Sequence, residues 1–377
     1  MHHERCATVN AFKYGCVVGG KWYCPRPFLE RELRRFLTAG QNVVIQGERR
    51  MGKTSLIHET VRGMRGWRLV YIDLLNIRSV GDFGKRVLSG VRESLRDESV
   101  FRKTLRLLPR LRPVVNYDPL TGGVGYSLDV KAASDPNAIE EIVAFLAAQT
   151  KKGRVAVVFD EFQDVLNLPD AQSVLALLRG KIQFQPDVPY VFTGSVRNAM
   201  SDLFDNPDSA FYKSAVSLCV GEIDRPDFSV FLRNRFKECG KRVTEDVLDA
   251  VMAEVDDIPG DVQELCEGLC DVTDGRREVV MDDLAPALKV VYAREGDKFE
   301  SFTSKLSPIQ FRMLVALALR AGINVQSVAF LSEAGIGNAA SARRALTRLE
   351  DLRYIYRYRG EWKFTSAFFK SWLRRFA

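Results

Sequence analysis

Four short apolar runs punctuate the first 200 residues, each closing on a polar or glycine-rich turn: Asn42–Gly47, Arg68–Leu74, Arg154–Phe162 and Pro189–Ser195. They are rich in Val, Ile, Phe and Tyr and lack in–out alternation, the pattern of strands buried on both faces. Between them lie stretches of helical periodicity, notably Asp82–Leu95, Pro136–Thr150 and Ala171–Ile182. Buried strands alternating with helices predict a three-layer α/β core around a mostly parallel sheet. One stretch breaks the rhythm. Arg112–Val130 alternates apolar and polar residues around a Pro-Leu-Thr-Gly-Gly turn, which predicts a β-hairpin inserted at the edge of the core.

Beyond about Val220 the pattern predicts helices without strands. Asp224–Gly240 and Thr244–Thr273 carry Asp or Thr at their starts and Gly as stops, giving a small helical domain. Arg294–Lys305 is dense in charge and reads as a linker. Three helical segments follow, and then two alternating runs hinged at Gly360, the arrangement of a winged helix–turn–helix. The expected domains are therefore 1–220 for the α/β core with its hairpin at about 112–130, 221–295 for a helical lid, and 301–377 for the winged helix.

Composition narrows the function classes. The 377 residues are 46% hydrophobic and 27% charged, as in a soluble globular protein. No apolar run is long enough to cross a membrane, and the first residues lack the apolar region of a secretory signal. Seven scattered cysteines point to a reducing compartment, so a cytoplasmic location is expected. Three histidines leave no basis for a histidine triad or a zinc site. The net charge of +7 is uneven. Ser301–Ala377 holds 13 Lys and Arg against 4 Asp and Glu, a balance of +9 that leaves −2 on the other 300 residues. Any polyanion partner is thus expected at the C-terminal end.

The first predicted strand runs into Gly47-Glu48-Arg49-Arg50-Met51-Gly52-Lys53-Thr54-Ser55, and a predicted helix follows. Glycines at both ends let the backbone curl so that amides face a phosphate chain. The helix N-terminus adds its positive dipole end. Lys53 supplies a charge to the β- and γ-phosphates, and the Thr54 hydroxyl is placed to ligate Mg²⁺. Asp160 ends the third strand as a second Mg²⁺ ligand, with Glu161 beside it to polarise an attacking water. An acidic pair after a buried strand can also be a helix start; the two motifs together favour a nucleotide site. At the fourth strand's end Ser195 and Arg197 are candidates to contact the γ-phosphate, although an exposed loop explains them as well. Pro259 and Gly260 begin a helix of the predicted lid, where they can pack on a base or simply start that helix.

Read together, "PFLERELRRFL", "GERRMGKTSL", "VVFDEFQD", "LLRGKIQ", "FTGS", the helical lid and the terminal winged helix resemble the archaeal-type ATPases of the STAND group, P-loop NTPases related to AAA+ proteins. The likeness runs from about Phe28 to Ala377, and the Arg49-Arg50 pair is one of its more specific marks. It implies ATP rather than GTP, a nucleotide-driven switch and, often, self-association. Two positions depart from the pattern. Glu30 stands where a glycine usually precedes Arg31-Glu32, and Ser214 stands where relatives often carry an arginine; if that arginine acts in trans, this chain either lacks it or uses Lys213, Arg197 or Arg179 instead.

The expected function is an ATP-binding, slowly hydrolysing, Mg²⁺-dependent switch with the nucleotide held between core and lid. Its output is expected through the winged helix, with Arg343, Arg344 and Arg348 entering a DNA groove while Arg357, Arg359 and neighbouring charges meet phosphates. Winged helices also grip proteins. The alternative is a non-hydrolysing module whose bound ATP stabilises an assembly.

Overall fold

The computed structural model describes residues 11–95, 97–106, 113–117, 124–128, 138–194, 197–320, 324–325, 327–358 and 360–376. Two compact units emerge: Gly19–Gly221, and the residues up to Val18 together with Glu222–Ala377.

In the first unit, helix α1 (Pro27–Thr38) precedes strand β1 (Val43–Gln46) and α2 (Lys53–Arg62). Then come β2 (Trp67–Asp73), α3 (Val80–Leu95), α4 (Glu98–Leu105) and the strands β3 (Pro113–Tyr117) and β4 (Val124–Leu128). The unit continues with α5 (Ala138–Ala147), β5 (Arg154–Asp160), α6 (Ala171–Ile182), β6 (Tyr190–Gly194), α7 (Arg197–Phe204) and β7 (Val216–Cys219). The sheet is five-stranded, in the order β2-β5-β6-β1-β7, and every pairing in it is parallel. Val155 to Phe159 are all 0% exposed although successive side chains point to opposite faces, so both faces are covered and the core has three layers.

One face is aromatic. Phe159 stacks between Phe83 and Tyr190, and Phe162, Phe192, Phe204 and Phe211 interlock beside it with centroids 4.7–6.0 Å apart. Each such ring contributes about 1.5–3 kcal/mol through burial. This cluster fixes the C-terminal ends of β5 and β6, where the predicted acidic pair and Gly194 sit. The inserted hairpin is present as β3 paired antiparallel with β4.

β7 is absent from the sequence reading, for a physical reason. As an edge strand paired only to β1 it buries Leu218 alone, so its sequence carries no apolar run. The expectation that strands cease after Val220 also needs correction. In the second unit β8 (Arg242–Val243) pairs in parallel with β9 (Glu278–Val279), a contact too short to leave a periodicity. The Lys241 ammonium braces it, donating to the Thr273 and Arg276 carbonyls at 2.6 and 3.3 Å.

The helices of the second unit are α8 (Arg225–Glu238), α9 (Glu245–Glu254), α10 (Pro259–Val272) and α11 (Leu284–Ser304). The predicted linker Arg294–Lys305 is the second half of α11. Arg294 pairs across to Glu267 and Asp271 of α10 and Lys298 pairs with Glu295 along α11, while Phe299 is buried against Phe369 and Trp372. The density of charge marks a solvated helix face. Residues before Val18 belong here too, with Phe12 buried edge-on against Phe236 at 5.0 Å.

The chain ends in α12 (Pro308–Leu319), α13 (Val328–Glu333), α14 (Ala339–Asp351), the antiparallel ribbon β10 (Ile355–Tyr358) and β11 (Glu361–Phe364), and α15 (Ala367–Phe376). Ser307 starts α12 with a reciprocal Ser–Gln capping box, and Asn338 caps α14. Three helices and a two-stranded wing are the predicted winged helix.

Candidate nucleotide site

The loop joining β1 to α2 is shaped by close backbone approach. A Cβ on Gly47 would lie 2.4 Å from the Val220 carbonyl oxygen just past β7, so only glycine fits. The chain then turns through two left-handed residues, Arg50 at φ 63° and Gly52 at φ 82°. Gly52 is the N-cap of α2, and α2 opens on Lys53 itself. The first-turn amides of α2 therefore face the loop.

Lys53 is buried and donates to the Gly47 and Glu48 carbonyls, both at 2.9 Å. Burial pulls its ammonium pKa down, opposed by the charges of Asp160, Glu161 and Glu48. Thr54 Oγ1 donates to Asp160 Oδ2 at 3.2 Å, so the two residues expected to hold Mg²⁺ meet across 106 positions of sequence. The Tyr71 hydroxyl donates to the same Oδ2. Burial first, and Asp160 second, push the Tyr71 phenol up, so it stays a donor. Asp73 lies beside Asp160 in the register of β2 and β5. His58, one turn beyond Thr54, sets its ring 5.2 Å from that of Tyr71, and burial keeps the imidazole pKa below its usual value.

Glu161 occupies a left-handed conformation at φ 51°, its amide held by Asp160 Oδ1 at 3.0 Å. The Gln163 side-chain amide donates to Glu161 Oε2 at 2.6 Å. Beneath the loop, buried Arg26 donates to the Met51 carbonyl at 2.9 Å and to the Gly221 carbonyl at 2.7 Å. Arg26 thus ties the loop to the chain leaving β7. Glu30, the residue that departs from the family pattern, accepts the Arg26 amide at 2.8 Å.

The arrangement fits a nucleotide with Mg²⁺. The loop takes a course that a side chain at Gly47 would block. One hydroxyl and one carboxylate converge beside it, a donor set that would suit Mg²⁺ together with phosphate oxygens and water.

Comparison with solved structures bears on the fold. A Walker-type ATPase of Pyrococcus abyssi superposes with a TM-score of 0.62 at 18% identity, covering 97% of this chain and 99% of its own. The ADP form of the ORC2 protein of Aeropyrum pernix gives 0.53 at 13% identity, covering 97% of this chain and 98% of its own. The A. pernix ORC1 protein in complex with DNA gives 0.50 at 15%, covering 93% of each chain. The fold is that of a P-loop ATPase. A family model described as "Probable winged helix domain" matches residues 297–375, which sets the fold of the C-terminal end. No curated protein matches the sequence.

The other predicted residues are placed as follows. Arg49 and Arg50 are exposed on the outer turn of the loop, whereas Met51 and Ser55 are buried. Ser195 and Arg359 lie outside the described residues. Arg197 is the first residue of α7. Arg179 donates to Gln183 along the exposed side of α6 at 3.2 Å, and Lys213 lies over the Tyr212 ring. Ser214 donates its hydroxyl to the Phe211 carbonyl at 2.7 Å, a local turn contact. Pro259 is buried at the first position of α10, in the second unit. Arg343, Arg344 and Arg348 are exposed on α14, opposite its buried Ala342, Ala345, Leu346 and Leu349. Arg357 is exposed on β10 with its guanidinium 6.0 Å from the Trp362 ring centre.

Sequence reasoning missed Arg26, Tyr71 and Gln163. Tyr71 was visible only as a strand residue, and Arg26 only as a residue before a helix-starting proline. Gln163 stood inside the quoted "VVFDEFQD" and carried no separate signal.

Proposed function

We propose that the chain is an archaeal-type ATPase of the STAND group that binds ATP with Mg²⁺, hydrolyses it slowly, and uses its nucleotide state to reposition a DNA-binding winged helix. The observation that carries this reading is the Thr54–Asp160 contact at the mouth of a glycine-bounded loop, with buried Lys53 inside it. Lys53 leaves the Gly47 and Glu48 carbonyls for the β- and γ-phosphates, and the α2 amides receive the rest of the phosphate chain. Mg²⁺, when bound, neutralises charge building on the phosphate oxygens. Thr54 and Asp160 hold it, and Tyr71 keeps the Asp160 carboxylate oriented. Glu161 accepts hydrogen bonds from the attacking water and aligns it. Ser195, Arg197 and Pro259 sense the nucleotide's state.

Support for the DNA output comes from the exposed arginines of α14 and β10, the +9 balance of the C-terminal segment and the winged helix fold. One structural neighbour is an ORC1 protein in complex with DNA. A homo-oligomer or a protein partner, and a cytoplasmic location, belong to the same reading. Among the described residues no helix is long and apolar enough to cross a membrane.

Phosphate release by wild type and Glu161→Gln tests the enzyme. Clear Lys53-dependent release that falls in Glu161→Gln is expected, and equal rates overturn the assignment of Glu161. DNA affinity measured against salt, with and without ATP, tests the output. A flat log–log slope removes DNA as the ligand.

A further inference from the structure

We propose that Gln163 is a positioning residue for hydrolysis, holding the Glu161 carboxylate and linking it to the ends of the neighbouring strands. The inference rests on the reading of Glu161 as the residue that aligns water.

Gln163 is 6% exposed and sits in the short helical turn that follows β5. Its amide nitrogen spends both hydrogens on carboxylates: Glu161 Oε2 at 2.6 Å and Asp164 Oδ1 at 3.3 Å. The other oxygen of Asp164 accepts the Asn76 amide at 2.6 Å, just beyond the end of β2. On its far side the Gln163 carbonyl oxygen is buried without a hydrogen-bond partner. It lies where β6 ends, and a Cβ on Gly194 would come within 2.2 Å of it and within 2.7 Å of Met200 Sδ. One amide therefore touches the C-terminal ends of β5 and β6 and is linked through Asp164 to the segment beyond β2.

Two features argue for more than packing. A buried amide can satisfy its donors on any nearby carbonyl, yet both point at carboxylates, one of them the residue reserved for water. The backbone at Glu161 is left-handed, a conformation a non-glycine residue adopts at a cost, and it sets the direction of the side chain. Left-handed backbone aims Glu161, and Gln163 then holds its carboxylate. Without the amide the carboxylate can still reach a water but spends most of its time misdirected, so the loss falls on turnover rather than on nucleotide binding.

The experiment uses the full chain. Gln163→Leu keeps bulk and removes the donors, and Gln163→Asn keeps the amide on a shorter arm. Gly194→Ala pushes on Gln163 from the opposite side and leaves Gln163 itself in place. Steady-state phosphate release and affinity for ADP with Mg²⁺ are measured for each. Expected is a fall in kcat of about tenfold or more for Gln163→Leu with ADP affinity within twofold of wild type, a milder fall for Gln163→Asn, and a fall in kcat for Gly194→Ala. The deciding measurement adds Gln163→Leu to Glu161→Gln. If Gln163 acts through Glu161, the double variant is no slower than Glu161→Gln alone. Wild-type kcat in Gln163→Leu, or losses that multiply in the double variant, overturn the proposal. Failure of the underlying reading looks different: wild type and Glu161→Gln then release phosphate at equal rates, and the role of Gln163 falls with it. Should Gln163→Leu lose ADP binding through misfolding, Gly194→Ala against the Glu161→Gln background decides by the same non-additivity.

Discussion

The phosphate loop and the winged helix are both sites of clustered positive charge, yet they are held in opposite ways. At the loop Lys53 and Arg26 are buried, with Arg49 and Arg50 exposed on the outer turn, and the geometry belongs to the backbone: Gly47 pressed against Val220, Gly52 left-handed, Lys53 folded onto two carbonyls, and Arg26 bracing the floor. On α14 and β10 the arginines are exposed, and α14 fixes only the face on which they stand. A buried charge must have its partners specified, so its spacing carries information. An exposed one is free to serve any polyanion, and only the fold around it narrows the choice.

The sharpest break in that comparison is Lys53→Ala. It removes a charge-assisted contact to phosphate worth about 1.5–3 kcal/mol, so ATP affinity should drop by about ten- to a hundredfold with DNA binding in the absence of nucleotide unchanged. Titration with a fluorescent ATP analogue checks it, and undiminished affinity would place the nucleotide elsewhere.

Arg26→Met asks whether the loop's floor matters as much as its lysine. The substitution keeps an apolar stem and removes the hydrogen bonds that the guanidinium gives to the Met51 and Gly221 carbonyls. A loss of about 2 kcal/mol in the stability of the Gly19–Gly221 unit is expected by denaturant titration, with ADP recovering part of it by binding the folded form.

Legibility in the sequence followed the same division. β1, β5 and β6 were visible because strands buried on both faces must be apolar throughout, and the edge strand β2 because it keeps the apolar run Leu69–Ile72. β7, the other edge strand, buries Leu218 alone and left no such run, although its end makes Gly47 obligatory. Thr54 and Asp160 were legible through their fixed places at a helix start and a strand end. Arg26, Tyr71 and Gln163 were not, since each reaches its partner across the fold and any long polar residue could stand there in the pattern. The charged half of α11 was misread because a solvated helix face and a linker have the same composition, and only Phe299 and Phe302, spaced for one face, separate them.

Within the second unit, two charges of α15, buried Lys370 and exposed Arg375, also have fixed partners. Lys370 on α15 pairs with Asp256 at 2.6 Å, and Arg375 pairs with Glu254 at 2.6 Å. Asp256 and Asp257 are consecutive left-handed residues in the turn that leads to Pro259. The last helix of the winged domain therefore grips the turn before α10. Lys370→Met should cost about 1–2 kcal/mol of stability. Burial alone would raise the Glu254 carboxyl, but its hydrogen bonds to Arg375 and Ser371 outweigh that and hold it below the usual range. A lowered carboxyl stabilises the fold above its unfolded pKa of about 4.3, and the benefit is lost as pH falls through the lower folded value. Thermal melts across acid pH should therefore show a steeper loss for wild type than for Glu254→Gln.

The smallest effect, and the one that tests the exposed side of the comparison, is expected from the winged helix. Arg343 and Arg344 are adjacent on α14 and exposed, and among the described residues the Arg344 guanidinium makes only a long contact to the Ser341 hydroxyl at 3.4 Å. If each meets one phosphate, the double substitution Arg343→Gln and Arg344→Gln lowers the slope of log affinity against log salt by about 2. At low salt the loss per residue should be modest, and it should be the same for unrelated DNA sequences, because phosphate contacts carry no base information. ATP affinity should not move, since nothing in the loop depends on these side chains. A sequence-dependent loss would instead mean that α14 reads base edges, and the exposed arginines would then be as specified as the buried lysine.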